Sequence, residues 1–220
     1  MSLTFSFTIL PSILIALFVI CSDRFREPIL PILYAFFLGL LIIIPAGLLN
    51  NLLIFSKENS DNLTFIAGFT EEPLKFIALY LFLRKRSEFD EPMDAIVYAT
   101  LLSLGFATLE NFEYVYLSDG EVSSMTIAAI RAFSAVPLHA CCGIIMGYYY
   151  GLYIFQGSVN HLFKSISFPI IIHSSYNYLN SFNDLILFIY VPLVILYATY
   201  LLDKMGDLQK LKDIEKEIKF

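Results

Sequence analysis

Apolar residues fall in this chain in blocks of twenty or more, separated by short polar segments, and the blocks rather than any alternation set its architecture. A helix needs about 20 apolar residues to cross roughly 30 Å of hydrocarbon. Runs of that kind cover 3–20, 29–55, 63–83, 92–117, 125–155, 165–181 and 184–202. The pattern predicts an all-α protein, a polytopic membrane helical bundle of about seven transmembrane helices occupying 1–202, with a short tail at 203–220. The long second run carries Pro45 and Gly47, which predicts a kinked or tilted helix, and the long fifth run has Pro137 in its middle. In the tail, Leu208, Leu211, Ile214 and Ile218 recur at helical spacing. They predict an amphipathic helix lying on the membrane or on a neighbouring segment. The first run lacks a basic leader and an A-x-A cleavage site, so it reads as a retained span rather than a signal peptide.

Composition supports the class. At 58% hydrophobic and 15% charged residues in a chain of 220, too much apolar surface exists for a soluble domain to hide. Charge placement then tests the span count. Seven spans put Arg24, Arg26, Arg84, Lys85, Arg86, Lys164, Lys204, Lys210, Lys212, Lys216 and Lys219 on one side and only Lys57 on the other, while Lys75 and Arg131 fall inside spans. By the positive-inside rule the N-terminus is extracytoplasmic and the C-terminal tail cytoplasmic. No basic run interleaves with aromatics, which excludes nucleic acid as a partner. Cys21, Cys141 and Cys142 form no metal-type pair and read as small apolar residues.

The informative residues are the polar ones within apolar runs, because an ionisable group in a span is costly and marks a cavity, a partner or a pathway. The stretch GFTEEPLKFIALYLFL at 68–83 holds Glu71, Glu72 and Lys75. Glu71 and Lys75 share a helical face, and Lys75 also reaches Glu72 at three residues' separation. One carboxylate more than the lysine can neutralise demands a further partner. Pro73, in the same turn, removes a backbone hydrogen bond. The fourth run contributes Glu110 and Asn111, with Glu113 nearer its outer end and Asp94 at its start as an interfacial or capping residue. His139 follows Pro137; His173 and Asn177 lie one turn apart in HSSYN; His161 falls in a connecting loop. At 1.5 Å per residue, Glu71, Glu72, Glu110, His139 and His173 arrive at similar depths, about 10–20 Å below the outer ends of their spans. One shared cavity is expected. Arg131 either snorkels outward or neutralises a carboxylate. Gly143, Gly147 and Gly151 form a small-residue stripe that lets another helix come close.

A buried glutamate of raised basicity can activate water for peptide hydrolysis, and a His or Asn side chain can donate to the oxyanion. Alternatively, His139 and His173 with a glutamate (Glu72 or Glu110) can hold Zn²⁺, leaving another glutamate as base. No H-E-x-x-H, G-x-S-x-G or plausibly placed catalytic cysteine is present, so the inventory suits water activation over a covalent nucleophile.

Four blocks, EEPLK at 71–75, GFATLEN at 105–111, His139 with its downstream glycines, and HSSYN at 173–177, resemble the PrsW family of intramembrane proteases, part of the wider group that includes the CAAX prenyl endopeptidases and bacterial ABI-type membrane proteins. Phe106 to Glu110 reads F-x-x-x-E where the prenyl-endopeptidase branch has F-x-x-x-H, which favours the PrsW branch. Ala95, Ala99 and Ser103 stand where the family often has glycine. The resemblance covers about 65–180 and implies a protease core there. It implies that Glu71 and Glu72 supply the motif carboxylates, that Glu110, His139 and His173 complete the site, that Asn177 is an oxyanion or supporting group, and that Lys75 orients the glutamates. It further implies a membrane-anchored protein substrate, a site that either holds zinc as cofactor or works through its glutamates without a metal, and a first cut in an anti-sigma factor on its extracytoplasmic side. Three rivals remain at this stage: a non-catalytic scaffold of the same superfamily, an ion or proton transporter using the buried charges as a relay, and a haem protein ligated by His139 and His173.

Overall fold

A computed structural model describes residues 3–117, 122–182 and 184–218, with backbone alone at 184–185 and 212–218. Among the described residues there are helices and no strand. They are α1 (Leu3–Ser22), α2 (Ile29–Asn50), α3 (Ser60–Leu63), α4 (Ile66–Leu83), α5 (Pro92–Tyr116), α6 (Ser124–Phe133), α7 (Ala135–Gln156), α8 (Val159–Asn180) and α9 (Asp184–Ile218). The fold is the all-α bundle that the hydropathy predicts.

α5 and α7 form its axis, with most of their side chains buried. Their closeness follows from side-chain size. A Cβ on Gly143 would stand 2.7 Å from Thr100 Cα and 2.8 Å from the Ala99 carbonyl oxygen, and one on Gly151 would stand 2.6 Å from the Pro92 carbonyl oxygen. Gly147 lies equally tight on Ala95 and Ile96. The stripe therefore packs on Ala95, Ala99 and Ser103, so alanine and serine suffice on α5 because α7 supplies the glycines. The remaining long helices surround this pair. Their outward faces expose Leu14, Phe18, Phe37, Leu41, Ile44, Phe188 and Leu193, an apolar belt whose natural solvent is lipid.

Among the described residues, five stretches are long and apolar enough to cross a membrane: Leu3–Ser22, Ile29–Phe55, Pro92–Tyr116, Ser124–Gln156 and Ile186–Leu211. α4 and α8 coincide with the third and sixth predicted runs and, at 18 and 22 residues, have about the length required. Their polar residues lower their hydropathy, and these are the helices that carry Glu71, Glu72, Lys75, His173 and Asn177. Several apolar helices thus fit a multi-pass membrane protein.

Four local features differ from the sequence reading. The fifth run is two helices, broken at Ser134. Pro137 cannot donate to the Phe133 carbonyl and its ring would clash there, so α6 ends at Phe133 and Pro137 sits harmlessly in the first turn of α7. The second run ends in a π-helical turn, Asn51–Phe55. The tail is not a separate helix: α9 continues unbroken to Ile218. Its Gln209 is buried against the α1–α2 connection, donating to Asp23 Oδ1 at 2.8 Å and to Glu91. Ile214, Ile218, Lys212, Lys216 and Lys219 lie outside the described side chains. Finally, α8 begins early enough to include His161, whose ring lies 6.2 Å from that of Tyr149. At the start of α5 the cap is Glu91, with Asp94 reciprocating as the third residue of a capping box and Pro92 in the first turn.

Candidate active site

α4 brings its two glutamates into different surroundings. Glu72 is completely buried, and its Oε1 accepts from Lys75 Nζ at 2.7 Å and lies 2.9 Å from His173 Nδ1. Glu71 Oε1 accepts from Asn50 Nδ2 at 2.9 Å, while its Oε2 lies 3.6 Å from Lys75 Nζ and 3.8 Å from His173 Nδ1. Asn50 is in turn fixed by Thr70, whose hydroxyl donates to Asn50 Oδ1 at 2.5 Å and to the Ala67 carbonyl at 3.0 Å. The ammonium of Lys75 is fully buried, 4.1 Å from the centroid of the Phe106 ring.

α5 and α7 supply the opposite wall. His139 Nε2 lies 3.0 Å from Glu110 Oε2 and its Nδ1 3.0 Å from Lys75 Nζ. A ring protonated on Nε2 satisfies both contacts, donating to the carboxylate and accepting from the ammonium. Glu110 Oε2 also accepts from Arg131 at 2.5 Å, and Arg131 Nε donates to Asn111 Oδ1 at 2.9 Å. Asn111 completes the chain by donating to the Thr8 carbonyl at 2.9 Å. The break at Ser134 matters here, because it lets α6 return Arg131 over Glu110 while α7 starts afresh beneath it.

These groups border one cavity of about 470 Å³, lined among others by Asn50, Glu71, Phe106, Glu110, Arg131, His139, His173, Tyr176 and Asn177. Glu72 and Lys75 lie behind its wall. The cavity occupies the end of the bundle where α2 and α8 finish and α4 starts, opposite the end that carries Arg24, Arg84, Lys85, Arg86 and Lys164.

Six of the residues singled out from the sequence, Glu71, Glu72, Lys75, Glu110, His139 and His173, thus form one connected cluster. Asn111 touches the cluster through Arg131, which pairs with a carboxylate rather than snorkelling. Asn177 lines the rim, with its Nδ2 donating to the Thr64 carbonyl at 3.2 Å, and Glu113 lies on the cavity too. Asn50 and Thr70 were missed. The one available signal was the Asn50–Asn51 pair, two amides inside an otherwise apolar run.

The donor set also fits a metal. Glu71, Glu72, His139 and His173 each offer a ligand atom, all within 4.8 Å of one another. Glu71 Oε2 and Glu72 Oε2 are buried without a hydrogen-bond partner. Two imidazoles and two carboxylates suit a zinc-type ion. Glu110 is not in this quartet; it bonds to Nε2 of His139 and orients that ring, and an ion held through Nδ1 would have to displace the Lys75 ammonium from among these donors. A haem between the histidines is excluded by their ring centroids, which stand 4.8 Å apart edge to face and leave no room for a macrocycle.

Comparison with known proteins agrees with this geometry. The sequence model of the PrsW family intramembrane metalloproteases matches residues 27–202. Protease PrsW of Clostridioides difficile is 34% identical over 187 residues, covering 80% of this chain and 78% of that protein. Protease PrsW of Bacillus subtilis is 34% identical over 180 residues, 78% of this chain and 79% of the other. That of Oceanobacillus iheyensis is 32% identical over 210 residues, 90% and 94% of the two chains. No solved structure matches the chain. With the family's match running through every helix that lines the cavity, this chain belongs to the PrsW family and is an intramembrane protease.

Proposed function

We propose that the cavity hydrolyses a peptide bond of a membrane-anchored protein, with Glu71 as the base that activates water. The observation that carries this is the state of Glu71 Oε2: it is buried beside the cavity, has no hydrogen-bond partner, and is held in direction by the Asn50 bond to the other oxygen. A carboxylate oxygen so placed can take a proton from a water lying in the cavity. Glu72 has a different part. Lys75 and His173 both face its Oε1, so it organises the cluster from behind the wall.

In the same reading, His139, His173 and Glu72 would hold a metal and leave Glu71 free. The chemistry a bound zinc ion supplies at such a site is Lewis-acid polarisation of the scissile carbonyl and of water. This chain's own residues do the remaining work. Glu110, anchored by Arg131, holds His139 in one orientation. Asn177, at the rim, has a side-chain amide that can donate to the developing oxyanion.

The position of the cavity opposite the basic end favours cleavage on the extracytoplasmic side, with the N-terminus outside and the tail in the cytoplasm. A membrane-anchored anti-sigma factor is the substrate that the family resemblance implies, and the lipid bilayer is the working environment. The test is cleavage of a panel of single-span proteins, anti-sigma factors among them, by the purified chain in liposomes, with the new termini identified by mass spectrometry. Cleavage within or just outside the half of the span nearest the cavity supports the reading. Cleavage at the basic end, or undiminished cleavage by Glu71→Gln, overturns it.

A further inference from the structure

A second group of carboxylates, two buried and one half-buried, lies at the far end of the bundle and takes no part in the cavity. Asp23 and Glu27 come from the α1–α2 connection, and Asp94 from the first turn of α5. Each offers a carboxylate oxygen, and these atoms all lie within 4.8 Å of one another. The protein fixes one oxygen of each group. Asp23 Oδ1 accepts from Phe25 N at 3.0 Å and Gln209 Nε2 at 2.8 Å, and Asp94 Oδ2 accepts from Asp90 N at 2.9 Å and Glu91 N at 2.8 Å. Glu27 Oε2 accepts from the Tyr98 hydroxyl. The other oxygens of Asp23 and Asp94 are buried and accept from no N–H or O–H donor, the Asp94 and Glu27 carboxyls lie within hydrogen-bonding reach of one another, and Asp23 and Asp94 are only 3% and 0% exposed.

From this we infer that Asp23, Glu27 and Asp94 form a binding site for a hard divalent cation, of the magnesium or calcium type. Three carboxylates cannot all stay charged at such separations in a poorly solvated place unless a cation or shared protons compensate them. Burial, with the charges of Asp23 and Asp90, holds the Glu27 carboxyl above its usual range, and a cation would relieve that cost. The donors are all oxygens, which suits Mg²⁺, Ca²⁺ or Mn²⁺ rather than a thiolate- or imidazole-seeking metal. Hydrogen bonds already orient one oxygen of each group, which restricts the carboxylates before any ion binds. Access is present as well. A cleft of about 590 Å³ beside Asp23, lined also by Arg24, Asp203, Asp207, Gln209 and Lys210, lies next to the cluster; Lys210 pairs with Asp207 there at 2.9 Å, so the cleft offers a path rather than a strong field. Occupancy would tie together the α1–α2 connection and the start of α5, and, through Gln209, the extended end of α9.

The test uses the full chain in nanodiscs after chelation. The imidazole-containing cavity is a poor site for Mg²⁺ and Ca²⁺, which prefer oxygen donors, so their effect on thermal unfolding reports on this cluster. A saturable rise in unfolding temperature is expected for the unaltered chain and is expected to vanish in Asp94→Asn and in Glu27→Gln. Bound Mn²⁺, counted by electron paramagnetic resonance, should fall by one equivalent in either variant. Should one variant fail to fold, the other carries the comparison. An unaltered chain whose unfolding ignores both ions, or variants that retain every Mn²⁺ equivalent, would overturn the site and leave shared protons as the compensation.

Discussion

Lys75 Nζ lies 2.7 Å from Glu72 Oε1, and neither side chain has any solvent exposure. Removing one partner of such a pair strands the other as a buried charge, at a cost of about 3–5 kcal/mol, whereas removing both together costs far less. Lys75→Met should therefore be strongly destabilising in reversible unfolding from mixed micelles. Glu72→Gln/Lys75→Met should be more stable than the sum of the single variants predicts. Additivity within about 0.5 kcal/mol would mean that the pair is not coupled.

The Asn50 bond gives Glu71 its direction, and misplacing a catalytic group by about an ångström can cost on the order of 100-fold in rate. Asn50→Ala is expected to lower kcat by about 10- to 100-fold with KM little changed, because Asn50 Nδ2 donates to Glu71 Oε1. A variant with unaltered kcat would remove Asn50 from the site.

The α5–α7 crossing makes a prediction whose sign differs between two glycines. A methyl group on Gly147 meets the backbone of Ala95 and Ile96, while one on Gly206 meets nothing within 4 Å. Gly147→Ala should cost about 1–3 kcal/mol through overpacking. Gly206→Ala should be neutral or stabilising by up to about 1 kcal/mol, since alanine favours the helix. Thermal unfolding of the two variants side by side decides it.

Metal content can be measured directly. If His139, His173 and Glu72 hold an ion, elemental analysis of the purified chain should find one zinc-type metal per chain and none in His173→Ala. Chelation should abolish cleavage, and zinc should restore it. Full cleavage by a metal-free chain would leave the glutamate as the sole source of water activation.

Much of this arrangement was legible in the sequence because membrane burial exaggerates the signal. In a run as apolar as 63–83, Glu71, Glu72 and Lys75 stand out, and depth counting alone places them level with Glu110, His139 and His173. Asn50 was less legible: an uncharged amide stands out far less in an apolar run than a charge does, and only the return of α4 across α2 gives it a partner. The break at Ser134 could have been read more closely from Pro137, whose effect falls four residues upstream of itself. The choice between Glu71 and Glu72 had no signature in the chain, since adjacent residues differ only in what the fold places around them. Gln209 was equally silent, because its partners Asp23 and Glu91 lie more than a hundred residues away.

That choice between the glutamates is the centre of the account, and single-turnover cleavage in liposomes tests it. Glu71→Gln and Glu72→Gln would be compared with the unaltered chain after unfolding and metal content have been measured for each. Glu71→Gln is predicted to remain folded and metal-loaded while cleaving about 100- to 10,000-fold more slowly, the range expected for a lost general base. Glu72→Gln is predicted to lose stability or metal along with activity. A folded Glu71→Gln that cleaves at the unaltered rate would contradict the account.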